Sequence, residues 1–229
     1  MMRRAKGTAR RKLRRAVDVA LATLLLLQMC YQLLPEDLHA ILGAAMVVAM
    51  GVHLWLNGAW LRSLGRGRWS AARLIFAACA GTSLLLMALL ALSGLVLSGI
   101  FPALRPLDGL ARAAHLSSSY LALLVLSFHA GLHAAKALGR PAGDAAKTRA
   151  RRAQAWVRAA WLLASCFGIY GFFSLHIADY LTLRMPFALP ADAPLPIFLL
   201  EHACVMALFA LLGAVLMRAV SSRSRRHTK

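Results

Sequence analysis

Apolar residues in this chain come in blocks rather than in alternation. Six blocks, roughly 16–34, 37–61, 74–101, 110–138, 156–177 and 197–220, are long enough at about 1.5 Å per residue to cross about 30 Å of hydrocarbon. Period-two alternation is missing, so the pattern predicts an all-α integral membrane protein with about six transmembrane helices. A basic head, 1–15, precedes the first block. Head and block together resemble a signal peptide, but no A-x-A-like site follows and the apolar run is long, so the segment is read as the first span. Residues 16–139 then form a four-helix core, 140–155 a basic loop, 156–220 two further spans and 221–229 a basic tail.

Composition agrees with blocks. The 229 residues are 60% hydrophobic with a net charge of +19, and a soluble domain could not hide that many apolar side chains. Of the 27 Lys and Arg, 24 fall in the head, in 62–73, in 136–158 and in the final stretch 218–229, all on one side of a six-span bundle. Only Arg105, Arg112 and Arg184 fall on the other. The positive side faces the cytoplasm, so a bacterial inner membrane with both termini inside is expected. Basic residues confined to loops and tails are a topology signal and exclude nucleic acid as the partner; lipid is the partner. Asp18 lies near the basic end of the first span, where Arg14 or Arg15 could pair with it. Cys30, Cys79, Cys166 and Cys204 stand singly in apolar stretches, without a C-x-x-C-H site, and read as small buried hydrophobes.

The chemistry lies in two histidine ladders. His39 and His53 on the second span, and His115 and His129 on the fourth, are each 14 positions apart. Fourteen steps of a helix turn four times less roughly 40° and rise about 21 Å, so each pair shares a face at two depths. Both spans run from outside to inside, which makes the ladders parallel and level. His39 with His115 and His53 with His129 then offer the axial set of an outer and an inner b-type haem, held noncovalently. Zinc would want three or four clustered ligands, and interhelical bridging is the plain alternative for any single histidine. His133, five turns from His115, competes with His129 on angle alone. By level it sits with Asn57, and the two are candidate propionate or quinone contacts at the inner haem. Gly43 and Gly51 leave room for a flat macrocycle or a neighbouring helix; the third span is assigned to packing only. His176, Asp179, Glu201 and His202 gather on the outer side, and are read as interfacial groups reachable by water rather than as a proton or electron relay.

The stretches DLHAILGAAMVVAMGVHLWLNGAWLRSL and HLSSSYLALLVLSFHAGLH carry H-x3-G…H-x3-N-x2-W and a terminal H-x3-H. Over roughly the first four spans this resembles the bacterial flavinylation-associated membrane cytochromes, which are similar in pattern to ferric-reductase-like cores. The resemblance implies two b-type haems and transmembrane electron transfer between a quinol or cytoplasmic-side donor and a periplasmic, flavin-bearing partner, with either direction of flow allowed. This chain has no S/T-G-A-S/T flavin-attachment motif, so covalent flavin would belong to a partner. With both axial positions filled by protein, the chain reads as an electron-transfer subunit of an oxidoreductase system rather than a stand-alone catalyst. A histidine-relay transporter for protons or metal ions, and a non-haem membrane anchor, are the alternatives. The transporter would want acidic partners beside the mid-membrane histidines, and none lies between Asp37 and Asp108.

Overall fold

The structure, a computed structural model, describes residues 2–138, 147–191 and 193–226. Among these, seven α-helices follow in order: α1 (Met2–Gln28), α2 (Glu36–Ser63), α3 (Ala71–Leu97), α4 (Asp108–Leu138), α5 (Lys147–Ser174), α6 (Ile177–Leu181) and α7 (Leu195–Arg226). Short 3-10 segments, Tyr31–Leu33 and Pro102–Leu107, lead into α2 and α4. No strand occurs among the described residues.

Five stretches are long and apolar enough to cross a membrane: Glu36–Ser63, Ala71–Leu97, Pro102–Ala135, Arg152–Ser174 and Leu195–Ser222. The chain is a multi-pass membrane protein. The first expected span differs. α1 takes in the basic head from Met2 onward and stops at Gln28, short of the expected end at Leu34. The Cys30 N–H turns back to the Leu27 carbonyl at 3.0 Å, and the chain tightens into the 3-10 turn. Its part beyond the basic head, 16–28, rises only about 20 Å and includes Asp18 and Gln28. α5 also begins earlier than expected, so the second half of the expected 140–155 loop is helical. The rest of that loop, Asp192 and His227 lie outside the described residues.

Local chemistry explains the other boundaries. Pro35 precedes α2, and Glu36 and Asp37 occupy its first turn, where the helix dipole favours acids. The Ser70 hydroxyl caps α3 by accepting from the Arg73 N–H at 3.3 Å. The Arg73 guanidinium donates to the Ser63 carbonyl at the end of α2 and lies 5.0 Å over the Trp69 ring, closing the basic loop on itself. Gly99, at φ +69°, carries the chain out of α3 through a conformation that penalises any side chain.

α4 is the hub, packed between α3 and α7, with α5 against the other side of α7. α1 and α2 form a hairpin of their own, and α2 makes little backbone approach to the remainder, burying only Met46 and Leu56. Two core clusters result. One joins Leu25 and Met29 of the hairpin side, Met46, Met87, Leu123, Tyr180 and Val205; the other gathers Phe76, Leu132, Ala135, Ala214 and Met217.

Burial from lipid gains little hydrophobic free energy, so close packing must hold the hub. Glycine provides it. A Cβ on Gly131 would fall on the Ala210 backbone, one on Gly213 on the Phe128 carbonyl, and one on Gly168 on the Cys204 carbonyl. Each is a backbone-to-backbone contact that no side-chain movement relieves. Gly131→Ala and Gly213→Ala should therefore each destabilise the protein by about 1–3 kcal/mol, as overpacking does. Gly81→Ala, with nothing within 4 Å of the added methyl, should leave stability equal or slightly higher. Thermal unfolding in detergent, followed by loss of the monodisperse chromatographic peak, checks both directions.

Candidate functional site

The ladders become two clusters of unequal tightness. At the outer level, His39 sits in the first turn of α2 and His115 in the second turn of α4, with ring centres 6.2 Å apart and planes at 71°. Each has a neighbour on a third element. The His115 Nδ1 lies 2.9 Å from the Ser93 hydroxyl of α3, which itself donates to the Leu89 carbonyl at 2.7 Å. A hydroxyl has one proton to give. Ser93 therefore accepts from His115 Nδ1–H, which fixes the tautomer that leaves the Nε2 lone pair for a metal. Gly94 lies beside the same ring, its would-be Cβ 3.5 Å from Cε1. On the other side, the Tyr31 ring meets His39 edge-on at 5.0 Å. Oriented to satisfy its surroundings, the Gln28 amide nitrogen donates to His39 Nδ1 at 3.3 Å and to the His39 carbonyl at 3.1 Å, and its oxygen accepts from the Gly43 N–H at 3.1 Å; with Nδ1 accepting, the neutral His39 ring carries its proton on Nε2. Gly43 thus makes room for Gln28, while Gly51 faces open space.

At the inner level, Asp18 of α1 meets His53 Nδ1 at 2.9 Å. The expected pairing of Asp18 with Arg14 or Arg15 is replaced, because α1 lies antiparallel to α2 and brings Asp18 level with His53. Arg14 and Arg10 instead donate to the Leu56 carbonyl at 2.5 and 3.2 Å. His129 is half-buried on α4, and its Nδ1 is buried without a partner. Its ring contacts His133 at 5.0 Å and Phe76 at 6.4 Å, and His53 stands within electrostatic reach. Asn57 does not join His133. Its amide donates to the His53 carbonyl at 2.9 Å and stands 3.4 Å from His53 Nε2, a weak contact. His133 packs on Phe76 at 4.9 Å. An (i, i+4) amide finds its own helix more cheaply than a side chain across the bundle.

A metal ion and a haem ask different things of this donor set. Among the described residues no three His, Cys, Asp or Glu side chains converge as a metal-binding group. A flat haem needs only two imidazoles on opposite faces. Two metal–nitrogen bonds of about 2.0 Å, with half an imidazole beyond each, space ring centres by about 6 Å. The outer pair has that spacing and, at His115, the required tautomer. The inner level has the donors, with His53 fixed at Nδ1 and His129 carrying an unpartnered ring nitrogen.

The outer-side group expected to be water-accessible divides. His176 is exposed, in a left-handed conformation between α5 and α6, and lies 3.3 Å from Asp179. His202 is wholly buried: its Nδ1 donates to the Phe198 carbonyl at 2.9 Å and its Nε2 has no partner. It lies against Tyr120, which stacks on Tyr180 at 4.3 Å. The cysteines divide as well, Cys30 and Cys204 being buried, Cys79 half-buried and Cys166 exposed on the outer face of α5. Ser93, Gln28 and Tyr31 were not legible as site residues. Each is a polar group near the depth of His39 and His115 on a neighbouring element, a match of level rather than of motif.

Compared with protein-family models, curated proteins and solved structures, the chain matches none.

Diethylpyrocarbonate, which acylates imidazoles reached by water, should modify His176 and leave His202 unmodified in folded protein. Peptide mass spectrometry before and after denaturation reads the difference, and modification of His202 in the folded state would contradict its burial.

Proposed function

We propose that this chain is a di-haem b-type cytochrome of the bacterial inner membrane, similar to the flavinylation-associated membrane cytochromes. It relays electrons between a quinol or other cytoplasmic-side donor and a periplasmic redox partner, and any covalent flavin belongs to that partner. The observation that carries the reading is the His39–His115 pair: two imidazoles on separate helices, 6.2 Å apart, one held by Ser93 in the ligating tautomer. His39 and His115 hold the outer haem; His53 and His129 hold the inner one. Bound there, two haems supply one-electron transfer across the bilayer.

The chain's own residues hold and orient. Ser93 and Gln28 position the outer imidazoles, and Asp18 positions His53. Phe76 packs on both His129 and His133. His133 lies one turn beyond His129 and is a flanking contact rather than a ligand. Arg10 and Arg14, tied to the Leu56 carbonyl, put positive charge beside the inner level, where a carboxylate or a quinone oxygen would meet it. In this topology the α1–α2 hairpin spans the membrane, both termini are cytoplasmic, and lipid surrounds α2, α3 and α5.

The Asp18–His53 contact also favours a second reading, a histidine relay for protons or metal ions, since it supplies the acidic partner such a path requires. Pigment separates the two. Protein purified in detergent after expression with ample haem should give a b-type spectrum and about two haems per chain by pyridine haemochrome, as two bis-histidine levels require. His39→Ala and His115→Ala should each leave about one haem, and so should His129→Ala, while His133→Ala should keep two. A colourless wild-type protein would end the cytochrome reading and favour the relay. Separately, activity of reporter fusions at both ends should place both termini in the cytoplasm; a periplasmic C-terminus would mean an odd number of spans.

A further inference from the structure

The imidazole partners at the two levels differ in charge. On the outer level, His115 Nδ1 meets a hydroxyl, Ser93, at 2.9 Å and His39 Nδ1 meets a carboxamide, Gln28, at 3.3 Å. Both partners are neutral. On the inner level, His53 Nδ1 meets the Asp18 carboxylate at 2.9 Å. A carboxylate on the far nitrogen of a ligating imidazole fixes its tautomer and makes it a more basic, electron-rich ligand. Negative charge there favours the iron state that carries one more positive charge, the oxidised one.

We infer that Asp18, acting through His53, holds the inner haem at a lower reduction potential than the outer haem and so sets the direction of electron flow from the cytoplasmic side outward. The inference rests on the di-haem reading above. Asp18 acts as a positioning and charge-setting residue and touches no reacting atom.

Other charges around the pair act inversely with distance, and the two guanidinium groups beside the inner level oppose Asp18. Arg14, one turn before Asp18 on α1, sends its guanidinium to the Leu56 carbonyl, as does Arg10. Their hydrogen bonds are spent on α2's backbone rather than on the carboxylate. His129, the facing group on α4, is paired to no acid: its ring neighbours are His133 and Phe76. The inner level thus has a carboxylate hydrogen-bonded to one axial ligand, whereas at the outer level Glu36 acts on His39 only through space, with no hydrogen bond to its ring.

The transfer itself balances simply. A quinol-class or other cytoplasmic-side donor is oxidised by one electron as the inner level is reduced. The inner level is reoxidised as the outer is reduced, and a periplasmic acceptor takes the electron from there. Where the donor is a quinol, its two electrons would leave one at a time while its two O–H bonds break and the protons pass to water on the donor side; no other bond forms or breaks, and the proton on His53 Nδ1 stays where Asp18 holds it.

Spectroelectrochemical titration of the full-length protein in detergent, with haem content measured on the same samples, tests this. Wild-type protein should titrate as two components. His115→Ala, which keeps only the inner haem, should titrate at the lower one; a remaining haem at the higher potential overturns the inference whatever the other variants do. Asp18→Asn should keep two haems and move the lower component upward with the upper one in place, and Asp18→Glu should restore it. Two retained haems with an unmoved lower component, or loss of a haem in both Asp18 variants, would overturn it while leaving the cytochrome reading intact. A wild-type protein without haem would end both, and the haem assay reports that outcome before any potential is read.

Discussion

A hydrogen-bonding side chain carried into hydrocarbon must find its partner inside the protein, because lipid offers none. That constraint orders this structure more than any hydrophobic preference does. Asp18 finds His53, Ser93 finds His115, Gln28 lies on His39, and Arg10 and Arg14 end on a helix carbonyl. Each contact crosses from one helix to another, so together they set the depth at which α1, α2, α3 and α4 stand. The depth at which α1 lies along α2 follows from two of them: with Gln28 beside His39 and Asp18 beside His53, the helices can only run antiparallel with their polar groups level. The histidines are therefore registration points for the bundle as well as candidate ligands, and their neighbours determine which ring nitrogen is free.

The glycines of α4, α5 and α7 answer a different need. Where no polar group fixes the contact, backbones must come close enough for dispersion to hold them. Gly131 and Gly213 do this reciprocally between α4 and α7, each receiving the other helix's backbone, and Gly168 does it between α5 and α7. α7 is thereby the element that clamps the histidine-bearing α4 from behind. α4's company is α3 and α7 rather than the hairpin, so the last helix in sequence supports the candidate site although it supplies none of the four candidate histidines.

Much of this was legible in the chain, and the reasons for the exceptions are physical. Long apolar blocks announce helices because the backbone in lipid has few other options, and the ends of α2, α4 and α7 fall within a few residues of expectation, apart from α7's basic extension. The 14-residue interval places His39 and His53 on one face because helical geometry is local. Partners across helices are not local. Nothing near Asp18 in sequence points to a histidine 35 positions away, and the basic neighbours Arg14 and Arg15 offer a plausible but incorrect alternative. Ser93 sits in a stretch that reads as packing, since a serine can satisfy itself on its own helix, as Ser93 partly does. His202 shows the converse. Its place beside Glu201 near the start of α7 suggests an interface, yet it is wholly buried, with Tyr120 and Phe198 against its ring.

The division between a clamped α4 and a loosely held α2 bears on what the two helices do together. α4 is fixed by backbone contacts that tolerate no added methyl; α2 is fixed mainly by α1, through Asp18, Gln28 and the two arginines. A flat group between two imidazoles requires the helices that bear them to stand apart by its own thickness plus two side chains, which direct ridge-into-groove packing of α2 on α4 would forbid. Here the outer rings meet at 6.2 Å while the backbones behind them make little approach. Tying α2 to α1 rather than to α4 leaves that spacing to be set by side chains. A chain that needed its histidines only as interhelical hydrogen bonds would gain by closing the two helices together, and this one instead anchors the second helix elsewhere.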